Sequence, residues 1–316
     1  MDEFKVPIYL MTGFLESGKT SFLNFTLAQE YFQIDEPTLL ILCEEGEEEY
    51  DKKVLKKSRT SVEVIDSIEE LTTERLVAYD AFYNPGRVII EYNGMWQVSK
   101  LEELTFPSGW GIEQHIVTVD ASTFQVYLNN MKSLFMEMVR NADLVLFNRA
   151  DTELPLANFR RSIKVVNPGA ELIFEDEEGE IEDIFDGEMP FDVKAETIEI
   201  PNEDYGIWYL DARDHADTYN GKKVSFTGMV LKSREFAKNE FAPGRMAMTC
   251  CADDTTFLGF VCKSDEARHL KTGKWVNVVA KVKYEFVPAY GETGPVLYAI
   301  SVEETEPLKD ELVYFS

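Results

Sequence analysis

The sequence predicts an α/β domain of the doubly wound, mostly parallel type, followed by a small all-β barrel. Three observations predict it. Short apolar runs alternate with amphipathic segments as far as about residue 175. An acidic stretch without sustained period follows, EDEEGEIEDIFDGEMPFD. Beyond it, strands are separated by hairpin punctuation rather than by long helices. A chain of 316 residues, 45% hydrophobic and 28% charged, is long enough for two such cores.

Taken in order, the apolar runs of the first domain are VPIYLM, TLLILC, SVEVI, RVIIE, QHIVTVD, ADLVLF and AELIF. Most are continuously apolar instead of alternating, the pattern of strands buried on both faces. FLNFTLAQEYF and STFQVYLNNMKSLFMEMV supply covering helices. The expected boundaries are 1–175 for this α/β domain, 176–204 for an acidic linker and 205–316 for the barrel. In the last part, WYLDARDHADTY predicts a short helix. KKVSFTGMVL, RMAMTCCA, FLGFVC, KWVNVVAKVKYEF and PVLYAISVEE predict five strands, for which the OB-like barrel is the best match.

The formal charge of −27 repels polyanions, which argues against nucleic acid and anionic membranes as partners and favours cations or basic protein surfaces. Neither an apolar run near transmembrane length nor a signal-like start is present, so a cytoplasmic setting without membrane insertion is expected. Four cysteines, unevenly spread, are too few for a disulfide framework.

Gly13-Phe-Leu-Glu-Ser-Gly18-Lys19-Thr20 fits G-x-x-x-x-G-K-[ST] between an apolar strand and a helical pattern, the context a phosphate-binding loop requires. Gly13, Glu16, Ser17, Gly18, Lys19, Thr20 and Ser21 are therefore candidate phosphate-binding positions, with Lys19 on the β- and γ-phosphates and the Thr20 hydroxyl on Mg²⁺. RVIIEYNG ends a strand with Glu91 and adds Gly94. This places a carboxylate for Mg²⁺ or its water before a γ-phosphate-sensing glycine, and makes Lys19 and Glu91 the candidate catalytic pair. The alternatives are a glycine-rich turn with an incidental lysine and a strand-end surface charge.

Asn148-Arg149-Ala150-Asp151 has the form N-K-x-D with Arg for Lys. Its Asp would accept from the two N–H groups of the guanine edge, a donor pair adenine lacks, so GTP and GDP are the expected ligands. The alternative for Asp151 is an ordinary helix cap. Asn167-Pro168-Gly169-Ala170 is a weaker candidate for the loop beyond the base.

In the order GFLESGKT, CEEGEEEYD, RVIIEYNG, FNRAD and VVNPGAELI, residues 5 to 175 resemble the CobW-like GTPases, relatives of the nickel-inserting urease and hydrogenase accessory GTPases. The resemblance implies GTP hydrolysis coupled to metal delivery or metal-dependent assembly, with Glu44 facing the nucleotide or Mg²⁺ and segment 44–52 acting as a switch. Three departures stand out. Glu16 replaces a small residue of the family's loop, Arg149 replaces its lysine, and the family's C-x-C-C motif is missing. Cys43, ending an apolar strand, reads as core. The acidic run EEGEEEYD reads either as a cation-holding loop or as a solvated, self-repelling one.

Residues 205 to 305 resemble the OB-like domain of accessory proteins that accompany bacterial permeases, which implies a link to transport or metal handling. Cys250, Cys251 and Cys262 are the one concentration of soft ligands. Cys262 with one of Cys250 or Cys251 is the candidate Zn²⁺ site, completed by Asp253, Asp254, His215 or His269. The alternative is that these cysteines pack in the barrel beside Phe226, Phe257, Phe260 and Tyr284.

The leading reading is a slow GTPase in metal homeostasis, with a metal-requiring client or a permease-associated protein as partner and homo-oligomerisation left open. A nucleotide-dependent scaffold or transport regulator with negligible hydrolysis is the alternative. An ATP-dependent small-molecule kinase would leave Asn148 to Asp151 unexplained.

Overall fold

Every apolar run of the first domain becomes a strand, and all of their pairings are parallel. The computed structural model describes residues 5–181, 189–248 and 255–313. These fall into two units: the described residues of Met1–Leu156 with Val166–Ile184, and those of Ala157–Val165 with Phe185–Ser316.

In the first unit the strands are β1 (Val6–Thr12), β2 (Thr38–Leu42), β3 (Thr60–Val64), β4 (Arg87–Glu91), β5 (Trp110–Asp120), β6 (Leu144–Asn148) and β7 (Glu171–Phe174), in the sheet order β3-β2-β4-β1-β5-β6-β7. Helices α1 (Lys19–Ala28), α2 (Lys52–Lys57), α3 (Thr73–Tyr83), α4 (Val98–Glu102) and α5 (Phe124–Arg140) lie between them in sequence. Strands β2 and β4 are buried at every residue, as continuous apolar runs covered on both faces require, whereas edge strand β3 leaves Val62 and Val64 exposed. Strand order reverses around β1. The register aligns Met11 with Glu91, Leu42 with Glu91, and Asp120 with Asn148. The motif-bearing ends of β1, β2, β4 and β6 therefore meet along one edge of the sheet, where open α/β sheets bind ligands.

The second unit begins with α6 (Leu156–Val166), of which residues 157–165 belong to it. It continues with β8 (Thr197–Glu199), α7 (Tyr205–Asp214), α8 (Ala216–Tyr219), β9 (Lys223–Leu231), β10 (Glu240–Met248), β11 (Thr255–Gly259), β12 (Val261–Lys263), β13 (Trp275–Val287), β14 (Glu292–Thr305) and β15 (Leu312–Val313). Strands β9, β10, β12, β14 and β13 close into a five-stranded ring, antiparallel except between β12 and β14. The barrel expected from the sequence is thus present, with FLGFVC divided at Phe260 into β11 and β12. Strand β9 alternates buried and half-buried residues, the signature of a barrel wall. Its inward Phe226 packs on Trp208 of α7, which also meets Phe260 edge-on. Strand β8 pairs in parallel with β9, Thr197 opposite Lys223, so the end of the acidic segment contributes an edge strand. Three residues are too few to show a period in sequence.

Of the cysteines expected to hold Zn²⁺ in the barrel, only Cys262 is described. Its side chain is fully buried in the hydrophobic core, between Phe241 of β10 and Leu297 of β14 in the ladder. Burial pushes its thiol up to about 12, which favours the protonated form, whereas zinc takes thiolate. Cys250, Cys251, Asp253 and Asp254 lie outside the described residues, and among the described ones no group of three or more His, Cys, Asp or Glu side chains could hold a metal ion. Its place in the core favours the packing reading of Cys262. Among the described residues no helix is long and apolar enough to cross a membrane.

Candidate functional site

The turn between β1 and α1 is shaped by two glycines that no other residue could replace. At Gly13, φ is 139°, and a Cβ would lie 2.3 Å from the Thr118 carbonyl oxygen. At Gly18, φ is 93° at the N-terminus of α1, with Asn148 Nδ2 2.7 Å from where a Cβ would be. Between them the Ser17 hydroxyl pairs with that of Thr118 at 2.8 Å, anchoring the loop to β5. Glu16 sits at φ 61°, a left-handed conformation that costs a non-glycine residue about 1 kcal/mol. It is held there from both sides: its carbonyl accepts from Arg149 Nη1 at 3.1 Å and its carboxylate from the Glu47 N–H at 3.3 Å.

Lys19 is 4% exposed. Its ammonium group donates to the carbonyls of Gly13 (2.9 Å) and Phe14 (3.0 Å) and to Glu44 Oε2 (2.7 Å). All three donors are thus directed into the bowl of the loop. Beside it the Thr20 hydroxyl donates to Glu91 Oε1 at 2.9 Å, and the Tyr50 hydroxyl donates to the other oxygen of Glu91. Glu91 is buried at the end of β4. Burial raises its pKa, while bonds from Tyr50, attraction to Lys19 and the Thr20 bond oppose the rise. A hydroxyl and a carboxylate within hydrogen-bond distance at the mouth of the loop form a hard oxygen donor set, which fits Mg²⁺. Gly94 presses against the loop from above: a Cβ there would lie 2.4 Å from the Gly13 carbonyl oxygen.

The acidic segment after β2 folds over this bowl. Glu44 takes Lys19, Glu48 accepts from Ser21, the Glu49 carbonyl accepts from Asn24 Nδ2 at 3.1 Å, and Tyr50 takes Glu91. Lys19, Thr20, Glu44, Glu48 and Glu91 line the small space at the mouth of the loop. If the loop takes phosphate, Glu44 competes with it for Lys19. Glu44→Gln is expected to tighten nucleotide binding about 3- to 10-fold, because a neutral amide releases Lys19 at lower cost than a carboxylate. Titration with a fluorescent GTP analogue checks it; weaker Mg²⁺-dependent binding would instead place Glu44 among the groups that hold the nucleotide and its ion.

On the other side of the loop, Asn148 Nδ2 donates to the Ser17 carbonyl at 2.6 Å, tying the end of β6 to the phosphate loop. Its buried Oδ1 has no partner in the protein. Arg149, at φ 51°, pairs with Asp120 and reaches the Glu16 carbonyl, so it braces the loop with its guanidinium. Asp151 is exposed. One of its oxygens accepts the Glu153 N–H at 2.9 Å, as in a turn, and among the described residues no bond reaches the other. Asn167 holds the carbonyls of Val139 and Ala142 at 2.9 and 2.8 Å. That is a structural role for the first residue of the weaker loop candidate.

The structure therefore brings Gly13 to Ser21, Glu44, Glu91, Gly94, Asn148 and Arg149 together, with Asp151 on the turn that follows. Sequence reading missed Tyr50, Glu48, Asp120 and Thr118. Asp120 ends an apolar strand as Glu91 does and could have been found by that signal. Tyr50 was hidden inside an acidic run. Cys43 is buried, and its thiol is pushed up to about 12 by burial, with Glu91 and Glu44 adding to it, in keeping with a core role.

The family described as CobW/HypB/UreG, nucleotide-binding domain, matches residues 7–174, more than half of the chain. The chain belongs to that family. Its glycine loop, Glu91 and Asn148 are thus parts of a CobW/HypB/UreG nucleotide-binding domain. Residues 181–315 match the DUF1980 C-terminal domain. No curated protein matches the chain. Similar solved structures include hydrogenase maturation factor HypB from Archaeoglobus fulgidus, 19% identical over 54% of this chain and 82% of that one, TM-score 0.39. HypB from Helicobacter pylori in complex with nickel is 16% identical over 54% and 79%, TM-score 0.35. Zn(II)-bound YjiA GTPase from E. coli is 16% identical over 97% and 91%, TM-score 0.42.

Proposed function

We propose that the chain binds GTP with Mg²⁺ and hydrolyses it slowly, and that it acts in metal homeostasis or metal delivery in the cytoplasm. The observation that carries the nucleotide reading is the convergence of Lys19, the Thr20–Glu91 pair and Asn148 on one glycine-shaped loop. Lys19 would bind the β- and γ-phosphates in place of Glu44, and backbone N–H groups of the loop would orient them. Mg²⁺, held by Thr20 and Glu91, would neutralise charge on the transferred phosphoryl group. Glu91 at the same time holds Tyr50 and with it the acidic segment, so loading of the site and lifting of the segment are coupled through one carboxylate. The metal-delivery reading rests on family membership. A metal-requiring client or a permease-associated protein is the partner that reading implies, with the second unit as its docking domain.

Base selection is assigned to Asp151. Its free carboxylate oxygen can accept from the guanine edge, and Asp151→Asn is expected to move preference from GTP toward XTP by about tenfold or more, since the amide donates where the carboxylate accepted. Competition between the two nucleotides checks it. Unaltered GTP preference would place base recognition elsewhere.

The alternative, a nucleotide-dependent scaffold with negligible hydrolysis, is favoured by the closure of segment 44–50 over the loop. Single-turnover phosphate release from bound GTP separates the two. Release within minutes to hours supports a GTPase, and indefinite retention of GTP supports the scaffold.

A further inference from the structure

A cleft of the second unit holds ≈ 450 Å³, within the range of small-molecule sites, and two arginines face it. Arg245 on β10 is 2% exposed. Its Nε, Nη1 and Nη2 donate to the backbone carbonyls of Glu311 (3.2 Å), Asn202 (3.3 Å) and Asp310, and the indole of Trp275 lies 5.6 Å from its guanidinium carbon. Five N–H groups are available, so carbonyls account for only part of them. Arg161 on α6 is half-buried and donates to Asn158 Oδ1 at 2.9 Å.

Neither guanidinium has a carboxylate within ion-pair distance among the described residues. That is unexpected in a chain where 58 acidic residues face 31 lysines and arginines. The nearest acids act on the two arginines from beyond contact, Asp310 and Glu311 on Arg245 and Asp211 and Asp204 on Arg161. Asp211 bonds His215 and Tyr219. Asp214 pairs with Arg160. Glu203 and Asp310 also border the cleft, but both are exposed at its rim. Burying a guanidinium out of contact with a counter-charge is costly. Buried Arg245, with half-buried Arg161 beside it, makes the cleft a place where an anion gains more than it would at the surface. Arginine matches carboxylate and phosphate with paired N–H donors. Ile207, Leu312 and Val313 supply an apolar part of the wall, beside the polar Asn158 and Asn202.

We propose that this cleft binds a small organic anion, its carboxylate or phosphate head held by Arg161 and Arg245 and its apolar body set against Ile207 and Leu312. The ligand is distinct from the nucleotide, and the second unit is then a sensor or carrier of a small metabolite anion. The backbone carbonyls of Asn202, Asp310 and Glu311 fix the Arg245 guanidinium before the ligand arrives, which spares the entropy of ordering it.

The test is isothermal titration of the full chain with phenyl phosphate, benzoate and the neutral benzyl alcohol. A Lys19→Ala background keeps phosphate off the glycine loop. Phenyl phosphate or benzoate is expected to bind with 1:1 stoichiometry, benzyl alcohol to give no saturable heat, and Arg161→Gln to weaken the anion at least about tenfold. The relative response to the two anions distinguishes a phosphate from a carboxylate ligand. Arg245→Lys serves as a second variant, and circular dichroism verifies that each is folded. Failure of both anions to bind, or equal affinity in folded Arg161→Gln, would overturn the assignment. Binding that disappears with Lys19→Ala would do the same, since the anion would then sit in the nucleotide loop.

Discussion

Lys19→Ala is expected to abolish GTP binding, weakening it at least about 100-fold, while leaving the chain folded. The ammonium group makes three bonds, all to atoms of the loop and of the acidic segment, and none to the apolar core. Loss of one desolvated charge contact to phosphate costs about 3 kcal/mol or more, which corresponds to that factor. The folded state also loses its partner for Glu44, which is 11% exposed in the ion pair and can turn to solvent when freed. Calorimetric titration with GTP and a thermal melt are the measurements. Unchanged affinity in a folded variant would remove the phosphate-loop assignment, whereas collapse of the melt would mean that the Lys19–Glu44 pair is structural.

The second large effect belongs to Gly94. A methyl group there would come 2.4 Å from the Gly13 carbonyl oxygen and 2.7 Å from Phe14 Cα, both backbone atoms that cannot swing aside. Real Cβ atoms do not approach so closely, so Gly94→Ala must push the loop after β4 off the phosphate loop. Overpacking of this kind costs about 1–3 kcal/mol in stability. It also displaces the Gly13 and Phe14 carbonyls that position Lys19. The expected result is a lowered melting temperature together with nucleotide binding weakened by about tenfold or more. A variant that melts and binds as the parent does would show that the two loops are not in register as described.

Much of this site was legible before any coordinates. Gly13, Gly18, Lys19 and Thr20 announce themselves because a phosphate loop needs fixed residue types at fixed spacing, and Glu91 because an acid ending a continuously apolar strand has little packing use. Asn148 was found by motif. Its bond to the Ser17 carbonyl, 131 residues away in sequence, was not, since no local pattern encodes it. Arg149 was read as a departure from lysine; in the fold it braces the loop through Asp120 and Glu16. Glu16 stood out only as a departure from the family's small residue; its left-handed backbone is compensated by the Glu47 N–H and Arg149. The acidic run 44–50 could be taken either for a solvated loop or for a cation holder. Glu45, Glu47, Glu48 and Glu49 are exposed, as a solvated loop requires, while Glu44 bonds Lys19, Glu48 bonds Ser21 and Tyr50 bonds Glu91. Charge repulsion along a segment is a local property, and a lysine supplied by another element reverses its consequence.

The barrel divides the same way. Strand alternation, hairpin spacing and the absence of long helices were enough to place five strands and their class, because the period of an exposed-and-buried wall is written residue by residue. Cys262 shows the limit: spacing to Cys250 and Cys251 suggested a metal site, and burial between β10 and β14 makes it a core side chain. Arg161 and Arg245, 84 residues apart in sequence, gave no signal at all. Sequence by itself determined the strands, the glycine loop and the two-part organisation, since each follows from short-range periodicity or from residue types required at fixed offsets. Tertiary structure alone decided which carboxylates meet which cations, because a charge is neutralised or left uncompensated by whatever the folded chain brings within a few ångströms of it.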